Sequence, residues 1–422
     1  MRKPEQIERL YLDFDGFFAS VAQTVEPSLR GRPVGVVPFD GAGDSGILIA
    51  CSRQAKERGV KNVMSVAQAR AICADLVLVT QNPDHYRRAH NALLAEIGLV
   101  IPVDAVKSID EVTCRVLGDD RRDPYPLARR LKKRIRDNLG PWITCSVGFA
   151  ANRQLAKMAC KAGKWRGVHY GDGLTAWHPA DMPAPLLPIA LENVPGIGRH
   201  MVARLAGAGI VSMADLLATA PKQMRALWRS VTGERLWYAL HGYDIQTPPS
   251  GRGMYGHGRV LPPGYRTAER AREASRLLAV KAARRMRREG WNAGRIWLSL
   301  DTSDRGVYAD MPLRSVHDDI AILHALEDAW CRVKPQLDHK TRIARVSVTL
   351  FDLTLRTERQ IDLLDNDDVQ RQSWESITSA LDALNGKYSR TLVSVGTWTP
   401  PPGGYAGGKI SYTRIPCAED FW

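Results

Sequence analysis

The 422-residue sequence predicts a mixed fold of the α/β (α+β) kind, and three observations carry that expectation. Near the start, Leu10, Leu12 and Phe14 alternate with Tyr11, Asp13 and Asp15, the period-two pattern of a buried strand with carboxylates on one face. Helical periods intervene: Leu127, Leu131 and Ile135 recur at every fourth position, marking the buried side of a helix. From 255 onward the chain reads as a β-α-β-β-α-β unit, with strands at 255–261, 295–301, 307–313 and 343–353 and helices at 267–288 and 316–333.

The acidic residues of these strands need an explanation. An ionised carboxylate on an apolar strand is costly unless something positive compensates it, and residues 10–18 contain no Lys or Arg. A second acidic pair, Asp110-Glu111, lies in the strand-prone segment 103–117 among Val103, Val106, Ile109, Val112 and Val116. Adjacent strand residues face opposite ways, so Asp110 and Glu111 can converge only near a turn or bulge. Together with Asp13 they would make an oxygen-ligand site of the kind that holds two Mg²⁺ ions for in-line phosphoryl or nucleotidyl transfer. Taken singly, such pairs are more often solvated or helix-capping features, so the surrounding residues must decide.

Composition narrows the choice. The length calls for two to four domains. A 44% hydrophobic content supports real cores, and a net charge of +14 points to a polyanionic partner, nucleic acid before membrane. Seven cysteines are scattered without a Cys-x-x-Cys pair, which argues against zinc and for a reducing compartment. The N-terminus runs straight into a strand without a signal peptide, and no run of about 18 apolar residues exists to span a membrane. A soluble, cytoplasmic protein is expected.

The stretch Asp13-Phe14-Asp15-Gly16-Phe17-Phe18-Ala19-Ser20-Val21, followed by Pro27 to Val34 and later by Ser108-Ile109-Asp110-Glu111, resembles the palm of Y-family (translesion) DNA polymerases. The pieces recur in the family's order across nearly the whole chain. The resemblance implies a right-hand architecture: palm at 1–32 and 81–171, fingers at 33–80, a thumb at 172–241, a linker at 242–254, a little finger at 255–356 and a tail at 357–422. It implies that Asp13, Asp110 and Glu111, with the carbonyl of Phe14, hold two Mg²⁺ ions. Phe18 would be the steric gate, its ring leaving no room for a 2′-hydroxyl, while amides around Gly16 to Phe18 face the incoming triphosphate and the Phe17 ring packs in the core. Gly16 departs from the aromatic or Cys of many relatives.

The other implied contacts follow chain order. A short helix in 51–60 would place Arg53 and Lys56 where many members carry Tyr and Arg on the triphosphate; Arg53 either binds a phosphate or faces solvent. Lys56 and the tail match the branch of the bacterial polymerase V catalytic subunit. Residues 85–101 read as an amphipathic helix, and 143–150 as a strand before Ala151 to Ala159 and then Lys164 to Val168, a stretch in which the resemblance implies that Lys164 faces the β- and γ-phosphates and Lys157 supports the site. Six of the eight residues 129–136 are basic, read as the solvated face of a palm helix rather than a nucleic-acid patch. Val194-Pro195-Gly196-Ile197-Gly198 is a helix-hairpin-helix signature, whose Gly196 and Gly198 let amides approach a DNA phosphate. In the little finger, Arg284, Arg285, Arg287 and Arg288 are expected on the helix surface, and His257, Arg259 and Arg345 as DNA contacts. Gln360-Ile361-Asp362-Leu363-Leu364 has the pattern of a peptide that docks on the bacterial sliding clamp, with Gln360, Leu363 and Leu364 as its anchors. A helix is expected at 373–385.

The implied activity is template-directed DNA synthesis for damage tolerance within an SOS-type response, on primed DNA with dNTPs, without proofreading and with possible accessory subunits. Two rivals remain: a non-catalytic relative that bridges the clamp and another polymerase, against which the intact Asp13, Asp110 and Glu111 argue, and a different two-metal nucleotidyl transferase such as a cyclase.

Overall fold

The structure, a computed structural model, describes residues 1–41, 43–44, 46–165, 172–246, 251–338, 340–359, 368–396 and 415. The chain opens with β1 (Arg9–Phe14) and α1 (Phe17–Val25). A small unit follows, made of β2 (Val34–Val37), β3 (Ala50–Cys51), α2 (Arg53–Glu57), α3 (Val66–Ile72) and β4 (Val77–Thr80), its sheet ordered β3-β2-β4. Then come α4 (Pro83–Gly98), β5 (Val103–Ser108), β6 (Glu111–Arg115), α5 (Tyr125–Leu139), β7 (Cys145–Ala150), α6 (Arg153–Trp165) and β8 (Leu174–Ala176). β1 lies at the centre of a five-stranded sheet ordered β5-β6-β1-β7-β8.

The alternation in β1 sorts its neighbours. Leu10, Leu12 and Phe14 pack with Tyr86, Leu93 and Ile97 of α4 and with Leu127, Leu131 and Ile135 of α5. Tyr11 belongs to the opposite face, packed with Leu155, Ala156 and Ala159 of α6. Gly148 makes this second layer close: a Cβ there would lie 2.1 Å from the Cys160 amide nitrogen and 2.3 Å from the Ala156 carbonyl. The absence of a side chain in β7 therefore brings α6 down onto the acidic face of the sheet.

Helices α7 (Arg199–Ala206), α8 (Met213–Ala218), α9 (Pro221–Trp228) and α10 (Val231–Leu240) share their core with α6 and Tyr11. Residues expected to form a linker begin instead as a clasp. Asn152 donates to the carbonyls of Ala239 and Tyr243 at 2.8 and 2.9 Å, and Arg9 reaches Asp104 and Asp244, both at 3.0 Å. β8, placed in the thumb range by the sequence, is a parallel partner of β7 and part of the central sheet.

The last unit contains β9 (Met254–Val260), α11 (Ala268–Arg288), β10 (Trp291–Thr302), β11 (Gly306–Val316), α12 (Asp319–Val333) and β12 (Ile343–Leu355), in the expected β-α-β-β-α-β order. Its sheet runs β11-β10-β12-β9 with α11 and α12 on one face. α13 (Asp368–Tyr388), longer than the expected helix, docks on these helices: Asp382 bonds Arg284 and Arg287, and Asn385 ties down Leu392 and Val393. Arg285 and Arg287 are thus not on the surface. Arg287 is buried between Asp319, 2.7 Å away, and Asp382, while Arg285 donates to the Gly256 carbonyl at 2.8 Å.

Candidate active site

The two acidic segments meet at one end of the central sheet. Asp13 lies directly opposite Glu111 in the β1–β6 pairing. Asp110 occupies the turn between β5 and β6, beside a register shift, which meets the geometric condition for convergence. The turn is held twice: the Phe14 amide donates to the Asp110 carbonyl at 2.9 Å, and buried His90 of α4 donates through Nδ1 to the Ile109 carbonyl at 2.8 Å. Burial lowers the His90 pKa, consistent with a neutral ring.

Each carboxylate has a partner. Lys164 Nζ is 2.7 Å from Asp13 Oδ1 and 3.0 Å from Asp15 Oδ1. Lys157 Nζ is 2.7 Å from Glu111 Oε1, and the Ser108 hydroxyl donates to Asp110 at 2.6 Å. Asp15 also accepts hydrogen bonds from Thr144 and Ser146, at 3.1 and 3.0 Å. Lys157, Lys161 and Lys164 are spaced by four and three residues, so one stripe of α6 faces the acids.

Burial raises the Asp13 carboxyl to about 6 against the opposing pull of Lys164, and Asp110 and Glu111 add to the rise. Burial alone would lower the Lys164 ammonium, but Asp13 and Asp15 more than reverse this. Among the described residues, no group of three acidic, His or Cys side chains stands ready as ligands to one ion. The donor set nonetheless fits a hard divalent cation: hard oxygens, close enough to repel, with lysines now supplying the positive charge.

Gly16 connects β1 to α1 with φ +53°, and a Cβ there would lie 2.5 Å from the Cys51 carbonyl oxygen. The departure from the family's bulkier residue is thus matched by a close approach of the β3–α2 segment. Lys56 of α2 lies beside Gly16, its pKa lowered by burial and then by Lys164. Phe18 stacks on Tyr86 with ring centroids 4.4 Å apart, whereas Phe17 is only 2% exposed and packs in the core. The Phe17 side chain is therefore closed to a nucleotide. Arg53 is half-exposed at the start of α2 and pairs with Glu57 at 2.8 Å.

A cleft of about 550 Å³ extends from Tyr11, Glu111 and Lys157 to Gly196 and Arg235, with Lys107 and Arg153 on its walls. Gly196 has φ +100° and open space at its Cβ position, and Gly198 caps α7. Arg345 lies on the open face of its sheet, its side chain 54% exposed. His257 and Arg259 do not join it. They alternate with Gly256 and Gly258, share the covered face with Tyr255, and are buried. Gln360, Leu363 and Leu364 lie outside the described residues.

A largely antiparallel sheet with Asp13, Asp110 and Glu111 at one end, covered by a lysine-striped helix and facing a cationic cleft, defines a palm suited to nucleotidyl transfer. Residues 12–161 match the model of the impB/mucB/samB family, and residues 252–363 that of the impB/mucB/samB family C-terminal domain. The chain is 32% identical over 398 residues to DNA polymerase IV of Moorella thermoacetica, covering 91% of this chain and 94% of the relative. DNA polymerase IV 1 of Bacillus subtilis is 27% identical, with 92% of each chain covered. The fold is similar to that of a Y-family DNA polymerase chimera Dbh-Dpo4(243-245)-Dbh, with a TM-score of 0.68 at 21% identity over 82% of this chain and 99% of that one. An insertion ternary complex of Dbh DNA polymerase aligns with a TM-score of 0.54 at 22% identity, over 82% of this chain and 99% of that one. The chain belongs to the impB/mucB/samB family of Y-family DNA polymerases. These relatives bear the name DNA polymerase IV, so the polymerase V branch expected from Lys56 and the tail finds no support in them.

Sequence reasoning gave no role to Asp15, Ser108, His90 or Tyr86. Asp15 had a signal, lying two residues beyond Asp13 in a period-two stretch. Ser108 had one too, opening the Ser108-Ile109-Asp110-Glu111 stretch; for His90 and Tyr86 nothing local marked them.

Proposed function

We propose that this Y-family DNA polymerase performs template-directed DNA synthesis across damaged positions, by two-metal nucleotidyl transfer and without proofreading. The observation that carries the reading is the meeting of Asp13, Asp110 and Glu111 at one end of the central sheet, under Lys157 and Lys164. Asp13, Asp110, Glu111 and the Phe14 carbonyl would hold two Mg²⁺ ions, which when bound supply charge neutralisation for the 3′-hydroxyl and the triphosphate. Lys164, Lys56 and the amides at the start of α1 take the triphosphate, with Arg53 at its outer end. Phe18, backed by Tyr86, excludes a 2′-hydroxyl. The cleft between Glu111 and Gly196 receives the primer–template, Gly196 and Gly198 approach its backbone, and Arg345 adds a phosphate contact. Gln360, Leu363 and Leu364 are assigned to a sliding clamp, and the cytoplasm is the setting such a partner requires.

Primer extension on primed DNA with Mg²⁺ and dNTPs tests the reading, comparing wild type with Asp110→Ala/Glu111→Ala. Extension by wild type alone is expected. Binding of primed DNA without nucleotide addition by wild type would refute it.

A further inference from the structure

Pairing registers fix which side chains share the open face of the four-stranded sheet. Trp297 is opposite Asp310 and Thr349, and Thr349 is opposite Gly256; one row along, Ser299 is opposite Tyr308 and Ser347, and Ser347 opposite Gly258. The face therefore has two unlike halves. On β9 and β12 it carries glycines and small hydroxyls, so backbone and Ser/Thr oxygens are near the surface, with exposed Arg345 one row further. On β10 and β11 it carries two large rings, Trp297 and Tyr308, stacked with centroids 4.9 Å apart and planes 11° apart.

This ring pair is open to solvent. Tyr308 is 62% exposed and Trp297 half-buried, although the covered face takes up most of the sheet's large apolar side chains; the open face otherwise holds Met254 and Phe351, paired with each other one row beyond Gly256 and Thr349. Cross-strand packing explains why two rings meet. It does not explain why the pair stands on the side without helices. A duplex presents phosphates and sugars, for which hydroxyls, amides and an arginine suffice. A solvent-open aromatic pair is what an unstacked base requires, because every base has a π-face.

We propose that Trp297 and Tyr308 form a stacking platform for an unpaired base of the single-stranded template, whose backbone runs over the Gly256–Gly258 and Ser347–Thr349 strip towards Arg345. Adjacent strands lie about 4.8 Å apart, so platform and strip are separated by roughly the reach from a base to its own phosphate. The proposal rests on the polymerase reading, and it specifies which form of nucleic acid this face takes.

The test is equilibrium binding to the full chain, without nucleotide, of two labelled probes: a primer–template with a long single-stranded template overhang carrying 2-aminopurine, and a blunt duplex of the same paired sequence. Tyr308→Thr and Trp297→Thr are each expected to weaken overhang binding roughly tenfold, the scale of one lost base stack, and to abolish quenching of 2-aminopurine. Blunt-duplex affinity stays at the wild-type value. Tyr308→Phe and Trp297→Phe, which keep a ring, retain both signals, and thermal unfolding separates a lost platform from a lost sheet. Overhang binding unchanged in a folded Tyr308→Thr protein overturns the proposal, as does equal weakening on both probes. Failure of wild type to extend a primer would instead overturn the polymerase reading, since the binding signals need no catalysis.

Discussion

Asp15→Asn probes how the Lys164 ammonium is shared between two carboxylates. It bridges Asp13 and Asp15 at 2.7 and 3.0 Å, and Asp15 is itself fixed by Thr144 and Ser146. A divalent cation that takes Asp13 must displace the ammonium, and Asp15 is the place where it can stay. At about 3 Å and an effective dielectric near 20, two unit charges attract by roughly 5 kcal/mol before the cost of desolvation. The net worth of a hydrogen bond to a charged group is smaller, about 1.5–3 kcal/mol. Asparagine keeps the size and the hydroxyl contacts but removes the charge, so the low end of that range is the expected loss. That corresponds to roughly tenfold weaker divalent-cation binding.

Mn²⁺ titration of the DNA-free protein, followed by electron paramagnetic resonance, reads this without catalysis. Asp15→Asn should weaken Mn²⁺ binding about tenfold, Lys164→Ala should tighten it, and Asp15→Asn should add nothing in the Lys164→Ala background, where the competing ammonium is gone. Equal weakening with and without Lys164 would make Asp15 a direct ligand and refute the sharing argument, and unchanged affinity would refute it too.

Other perturbations have expected outcomes. Phe18→Ala should raise ribonucleotide incorporation on the order of 100-fold in single-nucleotide kinetics, and Tyr86→Ala, which removes the ring stacked 4.4 Å behind it, should give part of that effect without touching the sugar. Gly16→Ala, with its Cβ 2.5 Å from the Cys51 carbonyl, should cost about 1–3 kcal/mol in denaturant unfolding and raise the KM for dNTPs. His317 is buried, donates through Nδ1 to Asn292 at 2.9 Å and accepts from Arg356 at 3.0 Å; burial, then Arg356, Arg287 and Arg359 push its pKa down to about 3 from 6.5, against the weaker pull of Asp382 and with Glu375 3.6 Å away. The unfolded chain takes up the proton first, so this stability is complete above pH 6.5 and falls as pH drops towards 3, by up to about 1.4 kcal/mol per pH unit; His317→Gln should flatten the dependence of unfolding on pH in that window.

The carboxylate site was legible because its signals are local. Period-two alternation sorted Asp13 from Leu12 and Phe14, and the need for a turn between Asp110 and Glu111 followed from strand geometry alone. The lysine stripe of α6 had the same kind of signal, in spacings of four and three. What could not be read locally is held by distant partners. His90 pins the Asp110 turn from α4, and Tyr86 backs Phe18 from the same helix; neither stands near the acids or the gate in sequence.

The basic residues of the last unit were misplaced for a different reason. Charge suggested a surface, but Arg287 meets Asp319 and Asp382 from two other helices, and a buried arginine is tolerable where such pairing is complete. In β9 the answer was present in the chain. His257 and Arg259 share parity with Tyr255, and a strand that buries Tyr255 must turn them the same way and present Gly256 and Gly258 outward. Applied there as it was to β1, the alternation turns glycines rather than cations outward on β9, giving an open face of glycine, hydroxyl and exposed ring that also carries the cations Arg345 and Arg295. A surface of that kind holds a polyanion through amides, hydroxyls and stacking, which depend on salt less than ion pairs do.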